Sequence, residues 1–199
     1  MVGSWAAEAL ARSGVGRLVL IDMDHVAESN LNRQVQATRQ TLGQAKVHAL
    51  AERLSLIAPD VTLYLVEEHL TPENVLQLLE GRHGGVLGTW PTPQVWVDAC
   101  DDLRAKEALV LALPARTRPR SLVVSGGAGG KLDPTRIRVG DLADTKQDPL
   151  LSKLRYSLRR QHGFPRTRTM RIRVVSSDEP ARASDNCDPA ARLACCFLK

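Results

Sequence analysis

The chain has 199 residues, of which 43% are hydrophobic, 25% charged and only 4% aromatic; 27 Lys and Arg against 22 Asp and Glu leave a net charge of +5. That composition excludes a generally disordered chain. No apolar run approaches the roughly 18 to 20 residues of a membrane span, so no stable membrane insertion is expected, and the first residues lack the basic-then-apolar pattern of a secretory signal.

In chain order, residues 5–13 read as a helix closed by Gly14 and Gly16. Residues 17–22 (RLVLID) form a short apolar run, as in a strand buried on both faces. Residues 42–58 have helical periodicity, with Val47, Leu50, Leu54 and Ile57 on one face, and Pro59 closes them. Residues 61–66 (VTLYLV) predict a second strand, and Thr71-Pro72 a helix start running to about Glu80. Residues 83–94 read as a loop, 95–98 as a third strand, 102–113 as a helix and 121–125 as a fourth strand. The alternation predicts an α/β fold with a mainly parallel, doubly wound Rossmann-like sheet and helices on both faces. The expected division is a nucleotide-binding domain over residues 1–145 and a basic C-terminal segment over 146–199.

The charge is concentrated. Lys153, Arg155, Arg159, Arg160, Arg166, Arg168, Arg171 and Arg173 fall within residues 149–177, which hold no Asp or Glu. Outside that stretch acid exceeds base. A solvated helix face would account for such a run; the missing acidic partners favour an anionic ligand such as RNA. The four cysteines, Cys100, Cys187, Cys195 and Cys196, form no Cys-x-x-Cys pair. Free thiols in a reducing cytoplasm are therefore expected, with no structural zinc.

Several residues carry chemistry. Gly3 and Ser4 lead into the first helix, whose amino end favours phosphate. Asp22 ends the first strand, where a carboxylate can accept from ribose hydroxyls or simply brace a turn. A more specific pattern follows: Asp22-Met23-Asp24-His25-Val26, then Ser29-Asn30-Leu31-Asn32-Arg33-Gln34, then Gly43-Gln44-Ala45-Lys46, and later Asp98-Ala99-Cys100-Asp101.

This order resembles the ubiquitin-activating-enzyme-like adenylating family. Ser125-Gly126-Gly127-Ala128-Gly129-Gly130-Lys131 and the stretch from Asp141 to Leu150 look like the subgroup that dehydrates threonylcarbamoyladenosine in tRNA. The resemblance implies ATP and Mg²⁺ as cofactors, with Gly3, Ser4, Asp22, Asn30, Arg33, Gln34 and Lys46 at the nucleotide and Asp101 as the metal ligand. Arg33, Lys46 and Asp101 would carry the chemistry. Asp98 would be a strand-end acceptor, and residues 126–130 a mobile loop near the reacting carboxylate. Partners implied are a tRNA carrying threonylcarbamoyladenosine, a second copy in a homodimer and a sulfur-transfer protein. The chain departs from the family in its glycine turn: Met1 stands where a glycine is expected, and the usual first strand is lacking. The ending at residues 187–199 also differs, so truncation at both ends is expected. Two alternative functions follow: a non-catalytic fragment binding tRNA or a partner, and an adenylyltransferase for a ubiquitin-like sulfur carrier.

Overall fold

The structure is a computed structural model, and it describes residues 2–82, 90–113 and 122–180. Most of the expected loop at 83–94, Ser121, and Cys187, Cys195 and Cys196 lie outside the described residues. The chain divides into two compact units, Met1–Pro93 and Gln94–Lys199. The expected boundary at residue 145 falls inside the second unit.

The first unit is a parallel β–α–β with an extra helix at its start. Helix α1 (Val2–Arg12) precedes strand β1 (Arg17–Ile21), and helix α2 (Lys46–Ile57) leads to strand β2 (Thr62–Val66). Strands β1 and β2 pair in parallel, Arg17 opposite Thr62 through Ile21 opposite Val66. Helix α1 begins earlier than its apolar pattern indicates, so Gly3 and Ser4 form its first turn, and Gly14 follows it at φ +83°. Helix α2 begins four residues later than expected. The cause is local. Gly43 turns at φ +82°, and the chain then runs antiparallel to residues 24–26, with Val26 N–H donating to Gln44 O and Lys46 N–H to Asp24 O.

Strand alternation assigns the faces of this unit. Leu18, Leu20, Leu63 and Leu65 pack with Ala7 and Ala11 of α1 and Val47, Leu50 and Leu54 of α2. Val19, Ile21, Tyr64 and Val66 pack on the other face with Trp90 and with Leu78 of helix α3 (Val75–Leu79). Both faces of β1 and β2 are covered by helices, which is why their sequences are almost continuously apolar. Helix α3 is shorter than expected, although Thr71 acts as its opening hydroxyl does elsewhere: its Oγ1 accepts from Asn74 N–H, and Asn74 Oδ1 accepts from Thr71 N–H.

The second unit has a four-stranded sheet in the order β3-β4-β6-β5. Strand β3 (Trp96–Asp98), β4 (Leu122–Ser125) and β6 (Arg173–Ser177) are mutually parallel; β5 (Ile137–Asp141) is the antiparallel edge. Helix α4 (Leu103–Ala112) connects β3 and β4. Asp102 caps it, accepting from Arg104 N–H at 2.7 Å. Helix α5 (Pro149–Gln161) buries Leu151, Leu154 and Leu158. Helix α5 and strand β6 lie in the segment whose sequence reading rests only on its charge, and β5 lies just before it.

The expected α/β architecture, with mainly parallel strands and helices, is what the two units contain. Among the described residues β1 pairs only with β2, and β3 only with β4. Among the same residues, no helix is long and apolar enough to cross a membrane.

Candidate nucleotide and acyl-transfer site

In the first unit Asp22 and Lys46 lie at the carboxyl end of β1, and Asn30, Arg33 and Gln34 in the turn that follows in sequence. Asp22 continues from the strand, its N–H donating to Val66 O. Its Oδ1 accepts from Asp24 N–H at 2.9 Å, so the carboxylate shapes the turn that follows. That turn and the antiparallel bridge after Gly43 bring Lys46, the first residue of α2, against Asp24, with Nζ 2.5 Å from Oδ2. Lys46 is mostly buried, whereas Asp24 is exposed. The hydrogen bond from Lys46 holds the Asp24 carboxyl below its usual range. The sequence pattern points to Lys46 but not to its partner. The signal was present in the alternate acidic positions 22 and 24, which leave the strand end with two carboxylates.

Residues 28–34 form a tight turn. Asn30 is buried, and its Oδ1 accepts from Ala27 N–H at 3.1 Å. Gln34 is buried and accepts from Gln36 Nε2 at 2.9 Å. Arg33 donates through Nη1 to Ser29 O and to Asn32 Oδ1. The guanidinium is thereby held against its own turn in a fixed orientation. Trp5 Nε1–H donates to Arg33 O at 3.0 Å. This bond joins α1, whose first turn contains Gly3 and Ser4, to the Arg33 turn. The first turn of any helix has amides without intrahelical partners, which suits an anion. Trp5 thus braces the Arg33 turn, a contact that its place in a helical pattern does not reveal.

In the second unit Asp98 ends β3 with its side chain fully buried. Its Oδ1 accepts from Cys100 N–H at 3.1 Å and from the Cys100 thiol at 2.8 Å. Its Oδ2 takes a buried ion pair from Lys106 Nζ at 3.1 Å, and the same ammonium donates to Ser125 O at 2.9 Å. Asp98 is thus a strand-end acceptor, as expected, and Lys106 is the partner that sequence analysis missed. An apolar helix face gave no hint of it beyond one lysine among buried positions. Burial, and then the Asp98 charge, push the Cys100 thiol up to about 12. A thiol of that kind is no nucleophile near neutral pH. Asp101 follows in the exposed turn before the Asp102 cap.

A metal fits this turn only with help from a ligand. Among the described residues no three His, Cys, Asp or Glu side chains form a cluster. Magnesium commonly takes one or two carboxylates together with phosphates and water, so a single exposed Asp101 matches that ion and not zinc.

The glycine stretch after β4 is fastened at both ends. Gly127 N–H donates to Asp148 Oδ2 at 2.9 Å, and Lys131 Nζ reaches three carbonyls, Gln147 O, Ser177 O and Glu179 O. Part of the basic segment is engaged within the fold. Arg155 donates to Leu142 O, Thr145 O and Thr145 Oγ1, and Arg159 to Pro165 O. These two guanidiniums hold the protein's own carbonyls. Lys153, Tyr156 and Arg160 stay exposed on α5, with Arg160 stacked over the Tyr156 ring at 5.8 Å.

A parallel β–α–β unit with its polar residues beyond the strand ends is the architecture of doubly wound nucleotide-binding proteins. Within that class, the ThiF family model matches residues 1–147, and the chain belongs to the ThiF family. It is 45% identical over 162 residues to the tRNA threonylcarbamoyladenosine dehydratase of Escherichia coli, covering 81% of this chain and 56% of that one. It is 36% identical over 199 residues to the protein of the same name from Haemophilus influenzae, covering 98% of this chain and 72% of that one. The crystal structure of the E. coli dehydratase in complex with ATP aligns with a TM-score of 0.81 at 40% identity, over 92% of this chain and 71% of that one. The sequence match thus spans a little over half the length of the E. coli relative.

Proposed function

We propose that the chain performs the ATP-dependent dehydration of threonylcarbamoyladenosine in tRNA. The observation that carries this reading is the Lys46–Asp24 pair at the end of β1, in the turn that Asp22 shapes, in a chain similar to an ATP-bound dehydratase structure.

The chemistry follows from the substrate. A carboxylate is a poor electrophile. Its attack on the α-phosphate of ATP forms an acyl-adenylate and releases pyrophosphate. The neighbouring ureido group then closes a ring onto the acyl carbon, and AMP leaves, so the net change is loss of water. No protein nucleophile is needed, in keeping with the raised Cys100 thiol. Asp22 would accept from the ribose. The amides of Gly3 and Ser4, with Asn30, Arg33 and Gln34, would hold base and phosphates. Lys46 would exchange Asp24 for phosphate and offset charge as it develops. Asp101 would hold Mg²⁺, which supplies charge neutralisation at the phosphates. On this reading the protein works as a homodimer in the cytoplasm with the modified tRNA as substrate, and a sulfur-transfer protein is a further proposed partner.

The exposed face of α5 supports the RNA part of the reading. Lys153 and Arg160 would meet phosphates, and Tyr156 offers a stacking surface. Lys153→Ala or Arg160→Ala should weaken tRNA binding and reduce the slope of log affinity against log salt by about one. Arg155→Ala should leave that slope unchanged and lower stability instead, by about 1.5–3 kcal/mol. The reading is tested by pyrophosphate release with Mg-ATP and the modified tRNA. Lys46→Ala and Asp101→Ala should each abolish it; release that survives both changes contradicts the assigned roles.

A further inference from the structure

Helix α5 divides its residues between two sides. Leu151, Leu154 and Leu158 have no exposure and face the core of the second unit. Ser152, Tyr156 and Arg160 recur at intervals of four on the other side, with Lys153 and Gln161 beside them, and all five are exposed. The helix contains no acidic residue. Tyr156 stands out on this side. It is 61% exposed in a chain of which only 4% is aromatic. Exposed aromatic surface of that size is costly to leave in water and is characteristic of binding faces.

Arg160 fixes the ring. Its Nη1 donates to the Tyr156 hydroxyl at 2.5 Å, and its guanidinium lies over the ring, 5.8 Å from the centroid. Beside the ring runs an open groove of about 460 Å³, lined by Leu103 at the start of α4 and by Ser152, Lys153, Tyr156, Ser157 and Gln161 of α5. Arg160 is not part of that lining, so the ring borders the groove on one side and the guanidinium on another. The volume falls in the range of roughly 300 to 1,000 Å³ typical of small-molecule sites. Ser157 is the buried member of the lining, and its hydroxyl donates to Glu107 Oε1 at 2.7 Å. His162 Nε2 reaches the same oxygen at 2.9 Å. That carboxylate is engaged by the protein itself, which leaves the charge of the groove to Lys153. Among the described residues Ser152, Lys153 and Gln161 make no side-chain hydrogen bond. They offer a hydroxyl, an ammonium and an amide that both donates and accepts.

An unpaired nucleobase meets these features together. Its flat face stacks on an aromatic ring, and its polar edge matches an amide with both donor and acceptor. The phosphates on either side of it find Lys153 and Arg160. A base inside a duplex has both faces covered by its neighbours, so the groove has no use for one. We propose that the groove between Leu103 and the Tyr156 side of α5 is a base-binding subsite, holding one unpaired base of the bound RNA stacked on Tyr156. The inference rests on the tRNA part of the dehydratase reading and goes beyond it, from a charged face to a pocket for a single base.

The test measures binding of the full chain to a fluorescein-labelled single-stranded oligouridylate of about eight nucleotides, and to a duplex RNA of the same length, across a salt series. Tyr156→Ala should weaken single-strand binding roughly 5- to 140-fold, the range that stacking of one base spans. The slope of log affinity against log salt should not change, because no charge is lost. Tyr156→Trp should restore binding to within threefold of the parent, and duplex binding should change less than twofold in either variant. With 5-iodouracil in the single strand, ultraviolet crosslinking should label the peptide containing Tyr156. Single-strand binding by Tyr156→Ala within twofold of the parent overturns the proposal. An equal loss on the duplex overturns it as well, since the face would then meet phosphates alone. A Tyr156→Ala chain that changes its oligomeric state in sedimentation, yet holds the oligonucleotide as the parent does, assigns the groove to a second copy and also overturns it. The two readings fail separately. Tyr156-dependent binding by a chain that converts no modified nucleoside contradicts the dehydratase reading and upholds the subsite; conversion with binding indifferent to Tyr156 does the reverse.

Discussion

Lys106 has a side chain with no exposure at all, and it serves two strand ends at once, Asp98 of β3 and Ser125 O of β4. Removing one partner of such a pair leaves a charge buried without compensation. Lys106→Met should therefore cost about 3–5 kcal/mol in urea unfolding, more than its lost packing would explain. A midpoint unchanged from the parent would show that Asp98 finds other partners. Cys100 leads to the opposite expectation. Its thiol donates to Asp98 Oδ1 and is raised to about 12. Cys100 should react with a thiol reagent at pH 8 far more slowly than a free cysteine, and Cys100→Ser should retain pyrophosphate release within threefold. The residue types at these positions were visible in the sequence, and Asp98 was read correctly as an acceptor. Lys106 was not, because nothing in a helical pattern tells a buried lysine from a solvated one. The same limit hid Asp24, whose partner Lys46 lies 22 residues away.

Among the elements, α1 and α2 are joined by more than alanine and leucine contacts. Glu8 of α1 is buried and accepts from Arg53 Nε of α2 at 2.7 Å and from Arg12 Nε at 2.9 Å. The hydrogen bond from Arg53, with help from Arg12 and against the opposing effect of burial, lowers the Glu8 carboxyl below 4.5. A carboxyl that ionises more readily when folded stabilises the fold above its unfolded pKa. That contribution is lost as pH falls through the folded value. Stability should therefore decline as pH drops below about 4.5, and Glu8→Gln should flatten that part of the profile while lowering Tm at pH 7. An equal acid decline in parent and variant would assign it to other carboxylates. Strand and helix identities were legible because period and capping are local. Helix α2 starts later than its periodicity predicts because Gly43 and the bridge to residue 25 occupy what periodicity alone would make the first turn. The arginines of residues 149–177 appear in the sequence only as charge; the engagement of Arg155 and Arg159 with carbonyls depends on neighbours that composition does not contain.

At the scale of the molecule, the two compact units carry different parts of the candidate chemistry. The first, Met1–Pro93, holds the cations expected at the nucleotide; the second, Gln94–Lys199, holds Asp101, the fastened glycine loop and the exposed basic face of α5. The parallel order was readable from alternation. The separation into a two-stranded and a four-stranded sheet follows from pairing: β1 and β3 each have one hydrogen-bonded neighbour among the described residues. The motifs were legible at a distance because the chemistry demands particular side chains in order. Their supports, Trp5, Asp24, Lys106 and Asp148, were not, because each acts on backbone or on a partner far along the chain.

The central claim is that this chain activates a carboxylate on modified tRNA with ATP. The direct measurement is the mass of the modified nucleoside after incubation of the purified chain with Mg-ATP and tRNA bearing threonylcarbamoyladenosine, with AMP followed in the same reaction. The account predicts loss of the mass of one water, one AMP for each nucleoside converted, and neither product with Lys46→Ala. An unchanged nucleoside with no AMP released, from a chain shown to be folded and to bind the tRNA, would contradict it and favour a binding role.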